Sequence, residues 1–227
     1  MIRGKPAVCS KPKLNTKIKA TVGSGFKAPS LFQLYSEYGS ESLDPEKSVG
    51  WDIGVEHYLL SERITFGVTY FSNDFRNLID FNQVTWKYQN VAEAESKGVE
   101  LFSSIQPIND LKLQINYTYM DTENKKTGEA LLQRPENKFK AAFNYRFLNR
   151  ANVGLDFIYI DERLDFGIPG SVVLDEYKLV NVSVSYDVTK NLSLFSRVNN
   201  VLDEEYEEVK GYGTAGTSGF VGFKLSF

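Results

Sequence analysis

Apolar and polar residues alternate with a period of two along most of the chain. In an extended strand successive side chains point to opposite faces, so each such run has one apolar and one polar face. The clearest run places Leu111, Leu113, Ile115, Tyr117 and Tyr119 against polar neighbours. Ten runs of this kind predict ten β-strands, which begin near Lys17, Trp51, Ile64, Trp86, Leu111, Phe139, Val153, Val180, Leu192 and Gly219.

The connections between these runs alternate between short and long. Short turns are predicted at residues 60–62, 107–110, 148–149 and 187–190. Long loops are predicted at residues 24–45, 124–136, 162–176 and 202–218, with a hairpin tip at 82–85 on the same side. Outer-membrane barrels have short periplasmic turns and long extracellular loops. A tilted strand of about ten residues spans roughly 26 Å, close to the apolar band of about 25 Å in such barrels.

The predicted fold class is therefore all-β, a transmembrane antiparallel β-barrel. Charged residues of the polar face, such as Asp52, Glu100, Lys140 and Asp156, would face a wet lumen rather than lipid. Two alternatives remain open. A soluble two-sheet β-sandwich also has alternating strands, and ten strands, an even number, could close into a small passive pore.

Composition narrows the classes of partner. No run of about 18 apolar residues exists, which excludes a transmembrane helix. The net charge is −3, so no general basic excess favours nucleic acid. Aromatic residues form 14% of the chain, which suits strands and membrane interfaces. Membrane lipid is thus an expected partner, and nucleic acid is not.

No pattern of catalytic or metal-binding residues is present. His57, the single histidine, lies on an apolar strand face and is interpreted as structural, and Cys9 is alone. The acidic run at residues 203–208 could offer oxygen ligands to a cation, but we interpret it as a solvated loop start. We therefore predict no enzyme activity, no metal and no cofactor.

Several stretches resemble the C-terminal half of TonB-dependent outer-membrane receptors. These are GSGFKAPSLFQLYSEYG, LDPEKS, NDFRNLIDF, YQNVAEAESKGVEL, NYTYMDTENKKTGEALLQRPENK and RVNNVLDEEYEEV, in this order, together with the terminal strand. The resemblance covers residues 15–227, which we assign to the C-terminal strands of such a barrel. Residues 1–14 match no feature of the family, and we predict that this leader is not native barrel.

Within this family the chain looks most similar to the cobalamin receptors. That similarity rests on FKAPSLFQLY, LDPEKS, NLIDF and YEEVKGYGTAG. Ferric-siderophore receptors share much of the pattern and are the alternative. The chain departs from the family at Thr217, where an arginine commonly follows GTAG.

The resemblance implies a barrel of about 22 strands that is closed by an N-terminal plug. Uptake of the ligand, cobalamin or a ferric siderophore, would be driven by the TonB complex through the plug, which this chain lacks. The resemblance also implies that the barrel-assembly machinery recognises the terminal strand, at Val221, Phe223, Leu225 and Phe227.

Ligand capture is expected at the long loops. Aromatic side chains there could stack on a large, partly apolar ligand, or they could only mark the outer aromatic girdle of the barrel. The candidate ligand-binding residues are Tyr35, Tyr38, Trp86, Tyr88, Tyr206 and Tyr212.

Overall fold

The computed structural model describes residues 3–4, 8–10, 15–82, 84–167 and 170–227. Its strands are β1 (Arg3–Gly4), β2 (Val8–Ser10), β3 (Thr16–Lys27), β4 (Glu46–Leu59), β5 (Ile64–Asn82), β6 (Lys87–Ile108), β7 (Leu111–Asn124), β8 (Asn137–Phe147), β9 (Ala151–Ile160), β10 (Arg163–Gly167), β11 (Gly170–Leu174), β12 (Tyr177–Asp187), β13 (Leu192–Asn199), β14 (Glu207–Val209), β15 (Tyr212–Gly213) and β16 (Ser218–Leu225). The single helix among these residues is α1 (Leu31–Tyr35).

The ten predicted strands all form, and they lie in one antiparallel sheet. The order is β3-β4-β5-β6-β7-β8-β9-β12-β13-β16, with β1 and β2 both paired to β3. A two-sheet sandwich is excluded because the ten long strands of the described chain share this one sheet. Every long strand pairs with its neighbour along the chain, as expected for an up-and-down barrel wall.

The sheet is open. In the part of the chain that the structure describes, β16 pairs only with β13, and β3 pairs with β4 and the two short strands β1 and β2. The two ends of the sheet are therefore not hydrogen-bonded to each other. This arrangement differs from a closed ten-stranded pore, which would need pairing between β3 and β16.

The alternation of short turns and long loops is confirmed. Two to four residues separate the strands at residues 60–63, 109–110, 148–150 and 188–191. Apart from the tip between β5 and β6, the other connections are longer, and most carry local structure. Residues 28–45 contain α1, while the β10–β11 and β14–β15 hairpins fill most of two loops that were predicted as plain connections.

Strand lengths differ from the prediction at the long-loop end. β3 continues four residues past its predicted end at Gly23, because Lys27 still pairs with Glu46 of β4. Strands β5 and β6 have 19 and 22 residues, so their hairpin extends beyond the neighbouring strands β4 and β7. Its predicted tip includes Gln83, which lies outside the described residues, as does most of the leader 1–14.

Helix α1 was not predicted. Ser30 caps it: the Ser30 side chain accepts a hydrogen bond from the backbone N–H of Gln33, and the Gln33 side chain accepts one from the N–H of Ser30. This reciprocal capping box is readable as Ser-x-x-Gln in the sequence. None of the helices in the described residues has the length and apolar character needed to cross a membrane.

Candidate functional site

The two faces of the sheet have opposite chemistry. Side chains such as Ile53, Val68 and Leu101 share one face and remain 41–49% exposed. On the other face a cavity of about 890 Å³ is lined by residues of six consecutive strands, β3 to β8. These are Thr21, Gly50, Asp52, Thr69, Glu100, Thr118 and Lys138 among others. The polar face is therefore concave and forms the inner wall, and the apolar face is the outer one.

Glycines and aromatic rings shape part of this inner wall. Phe71 lies over Gly98, Phe102 over Gly67, and Phe195 over Gly222, each on a neighbouring strand. A Cβ at Gly98 would stand 2.8 Å from the Phe71 ring and would overlap the carbonyl oxygen of Tyr119. The absence of a side chain at Gly98 thus lets the Phe71 ring lie against the wall.

At the long-loop end six aromatic side chains form a cluster with Phe81 at its centre. This Phe81 cluster consists of Phe32, Tyr38, Phe81, Trp86, Tyr88 and Phe166. The Phe81 ring centroid lies 5.9 Å from Tyr38, 6.0 Å from Trp86 and 5.3 Å from Tyr88. The backbone N–H of Tyr88 also donates to the carbonyl of Tyr38 at 2.9 Å. The cluster joins the α1 loop, the β5–β6 hairpin and the β10–β11 hairpin.

The structure brings three of the six predicted ligand-binding residues together. Tyr38, Trp86 and Tyr88 belong to the Phe81 cluster, whereas Tyr35 is exposed on α1. Tyr206 stacks on Tyr177 with ring centroids 4.2 Å apart. Tyr212 is 73% exposed on β15. The six residues therefore do not form one site.

A buried carboxylate ties three long loops together. Asp165 is fully buried and accepts hydrogen bonds from the Gln133 side chain at 2.8 Å and from the backbone N–H groups of Phe166 and Lys210, each at 2.7 Å. Arg163, nearly as buried, donates to the carbonyl of Glu207 at 2.6 Å. We call this group of six residues the loop junction: Gln133, Arg163, Asp165, Phe166, Glu207 and Lys210.

The surroundings of Asp165 set its protonation. Burial works to raise the pKa of this carboxyl, but the hydrogen bonds from Lys210, Gln133 and Phe166 and the charge of Arg163 outweigh it, and the pKa falls below its usual value. Asp165 is therefore an anion at neutral pH, and it stabilises a fixed arrangement of the loops.

A second pocket opens at the extracellular mouth of the inner wall. This mouth pocket has a volume of about 520 Å³ and lies between β3–β5 and the loop at residues 125–136. Its large apolar lining residues are Phe26, Phe75, Leu78, Ile79, Leu131 and Leu132. Its basic lining includes Lys27 and Arg134, and Glu46 and Asp80 are the acidic residues.

The mouth pocket was missed by the sequence analysis. Lys27 forms an ion pair with Glu46 at 3.1 Å, and Glu46 also accepts a hydrogen bond from the N–H of Ile79. The one signal in the sequence is the apolar pair Leu131–Leu132 inside an otherwise polar loop. Such a pair in a loop indicates contact with another part of the protein.

The loop from 200 to 217 is held by its first residue. Asn200, 4% exposed, donates to the carbonyls of Glu204 and Ala215 and accepts from the N–H of Glu204. Thr217, at the position where arginine was expected, donates its hydroxyl to the carbonyl of Asn200 at 2.7 Å. The departure at Thr217 thus has a structural role in closing this loop.

The proposed assembly signal lies at the open edge of the sheet. Val221, Phe223 and Leu225 point to the outer face of β16, and all three are exposed. Phe227 follows the end of β16 and is fully exposed.

Comparison with known proteins identifies the fold. A family profile described as "TonB dependent receptor-like, beta-barrel" matches residues 11–201. The ferric enterobactin receptor PfeA of Pseudomonas aeruginosa superposes with a TM-score of 0.80 at 20% identity, over 97% of this chain and 40% of that one. The siderophore receptor PirA of Acinetobacter baumannii superposes with a TM-score of 0.80 at 19% identity, also over 97% of this chain and 40% of that one.

A third solved structure extends the comparison. FpvA of P. aeruginosa, bound to a ferric pyoverdine, gives a TM-score of 0.78 at 18% identity, over 96% of this chain and 32% of that one. The chain therefore spans between one third and two fifths of the length of these receptors, which explains why its sheet is open. Proteins of this family are outer-membrane barrels that act in transport and are not enzymes. The profile match across most of the chain and the shared barrel wall show that the chain belongs to the TonB-dependent receptor β-barrel family.

Proposed function

We propose that this chain forms the C-terminal wall and part of the ligand-binding mouth of a TonB-dependent receptor for a ferric siderophore. The observation that carries the proposal is the mouth pocket. It combines apolar side chains with the basic groups of Lys27 and Arg134, close to the inner wall of the barrel. Basic groups beside apolar surface suit a bulky ligand with anionic or strongly hydrogen-bonding oxygens.

The solved structures support the siderophore over cobalamin. PfeA is described with enterobactin, FpvA with pyoverdines, and PirA as a siderophore receptor. The cobalamin interpretation rests on the sequence motifs alone, so we place it second. The open sheet of the described residues gives no support to a small passive pore.

The other partners follow from the same proposal. Uptake would depend on the TonB complex acting through a plug, and assembly would use the terminal strand with Val221, Phe223, Leu225 and Phe227. In this proposal the Phe81 cluster and the loop junction hold the loops around the mouth, and the mouth pocket contacts the ligand. Tyr35 and Tyr212, which are exposed and lie apart from both, are the weakest of the six predicted ligand contacts.

The test is a titration of the detergent-solubilised receptor that contains this chain with ferric enterobactin, a ferric pyoverdine and cobalamin. We expect one of the ferric siderophores to bind, and Arg134→Ala to weaken that binding about tenfold or more, since a hydrogen bond to a charged group contributes about 1.5–3 kcal/mol. Lys190→Ala, in a short turn at the opposite end, is the matched control and should bind normally. Binding of cobalamin but neither siderophore would overturn the proposal.

A further inference from the structure

The loop at residues 125–136 supplies one side of the mouth pocket, through Leu131, Leu132 and Arg134. Gln133 lies between two of these residues but is not part of the lining. Its backbone φ is 57°, in the left-handed region that residues other than glycine seldom adopt. Such a conformation persists where the surrounding structure holds it. The contacts that hold Gln133 therefore also place its two neighbours in the pocket.

On both sides of Gln133 the loop is attached to β7. The N–H of Leu131 donates to the hydroxyl of Thr122 at 3.1 Å, and the carbonyl of Glu136 accepts from the N–H of Met120 at 2.8 Å. Residues 132–135 make no hydrogen bond to β7 in the part of the chain that the structure describes. The middle of the loop is therefore held by another element.

That element is the β10–β11 hairpin. The N–H of Gln133 donates to the carbonyl of Leu164 at 2.7 Å, and its side-chain amide donates to the carboxylate of Asp165 at 2.8 Å. Among the described residues, these are the only hydrogen bonds from residues 132–135 to any other element. The guanidinium of Arg134 in turn donates to the carbonyl of Gln133 at 3.1 Å. The position of Arg134 thus depends directly on the backbone of Gln133.

The acceptor of the Gln133 side chain is itself fixed. Asp165 has no exposed surface, and the N–H groups of Phe166 and Lys210 donate to its carboxylate at 2.7 Å each. Moving this carboxylate would leave buried donors without a partner, which is costly. A hydrogen bond to a carboxylate is also stronger than one between neutral groups. Asp165 is therefore a firm attachment point for the loop.

We propose that Gln133 is a positioning residue of the mouth pocket, which ties Leu132 and Arg134 to the β10–β11 hairpin. Gln133 does not touch the ligand. It keeps its two neighbours in the lining before a ligand arrives, which lowers the cost of ordering them on binding. The inference rests on the function proposed above, in which the mouth pocket contacts the ligand. It adds that the affinity depends on a pair of side chains, Gln133 and Asp165, outside the pocket.

The test compares variants of the detergent-solubilised receptor that contains this chain. Gln133→Glu places a second carboxylate against Asp165, and Gln133→Ala, which only removes the side-chain hydrogen bond, covers poor folding of the first. Gln133→Glu combined with Asp165→Asn restores a donor opposite an acceptor, because the new amide can donate to the new carboxylate. Gln106→Glu is the matched control, since the Gln106 amide also donates to a carbonyl, that of Asn109 at 3.1 Å, but at the opposite end of the strands.

Two quantities are measured for each protein. One is hydrogen exchange of residues 131–136 without ligand, and the other is the affinity for whichever of ferric enterobactin, a ferric pyoverdine and cobalamin the unchanged receptor binds. We expect Gln133→Glu to raise exchange in this segment and to weaken binding about tenfold, and Gln133→Ala to weaken it about fivefold. The double variant should return to within about threefold of the unchanged receptor, and Gln106→Glu should change neither quantity.

The outcomes separate this inference from the proposed function. Faster exchange at residues 131–136 with unchanged affinity would overturn the positioning role and leave the siderophore proposal in place. An equal loss of affinity in the double variant and in Gln133→Glu would also overturn it, because the two side chains would then not act as a pair. Binding of cobalamin but neither siderophore would overturn the proposed function, and the cobalamin affinities of the same variants would still decide the role of Gln133.

Discussion

Single residues decide how the long loops are held. Asp165 has no exposed surface, and three hydrogen-bond donors from three parts of the chain converge on it. Asn200 plays the corresponding role for the loop that precedes β16, with hydrogen bonds at both ends of its amide group. The sequence analysis recognised the motif around Asn200, but it gave no role to Asp165. Two of its three donors lie 32 and 45 residues away in the chain, and only folding brings them to Asp165.

The loop junction should depend on pH in the acidic range. Because the pKa of Asp165 is lower in the folded protein than in the unfolded chain, its stabilising contribution is complete above the unfolded value of about 3.9 and is lost as the pH falls through the lowered folded value. We expect the protection of the Lys210 amide, its exchange relative to an unstructured peptide at the same pH, to persist at pH 4 and to fall below it. Hydrogen exchange with mass spectrometry measures this.

Asp165→Asn is the control for that prediction. The amide cannot accept all three hydrogen bonds with the strength of a carboxylate, so Lys210 should already be poorly protected from exchange at neutral pH, and its protection should change little on acidification. If the two proteins exchange alike at every pH, Asp165 does not hold the junction.

At the scale of elements, the alternation of apolar and polar residues predicted the strands of the sheet and its two faces. It did not predict the contacts between strands and between loops. All ten strands were identified, including the weak run that became β13. The extension of β3 to Lys27 was not, because the GSG stretch looks like a loop until its pairing with β4 is known. The β10–β11 and β14–β15 hairpins were missed for a similar reason. Leu164 and Phe166 do alternate with Arg163 and Asp165 in β10, but a run of five residues inside a polar loop is too short to predict a strand.

The contact at Gly98 can be tested by substitution. Gly98→Ala would force the new methyl group against the Tyr119 carbonyl of β7 and the Phe71 ring of β5. We expect a loss of about 1–3 kcal/mol in the free energy of unfolding, measured by urea titration in detergent micelles. Gly23→Ala is the matched control, since no atom lies within 4 Å of a Cβ there. Equal effects of the two substitutions would contradict the close packing of β5, β6 and β7.

At the scale of the whole molecule, an apolar outer face and a concave polar face make this sheet part of a membrane barrel. Between the short turns and the long loops, the outer face of the strands carries the apolar side chains that lipid would cover. The open edges at β3 and β16 place the chain as one part of a larger wall, consistent with the length of the receptors that it resembles.

Two adjacent residues of β5 test the assignment of the faces. Val68 points outward and Thr69 points inward, where it pairs with Glu100 of β6. In the receptor folded into lipid vesicles, Val68→Arg should lower the free energy of unfolding by about 2–4 kcal/mol, because it places a charge on the lipid face. Thr69→Arg should have little effect, since it adds the same charge to the wet inner wall beside Glu100. The opposite ranking would reverse the two faces.

The sequence by itself determined the strand number, the two faces, the ends that carry short and long connections, and the family. These features depend on residues that are neighbours in the chain or in a strand, so a period of two and familiar motifs are sufficient to predict them. Only the tertiary structure decided the mouth pocket, the loop junction and the Phe81 cluster. Each joins side chains from strands and loops that are distant in sequence, such as Lys27 with Arg134, and such proximity depends on the register and curvature of the whole sheet.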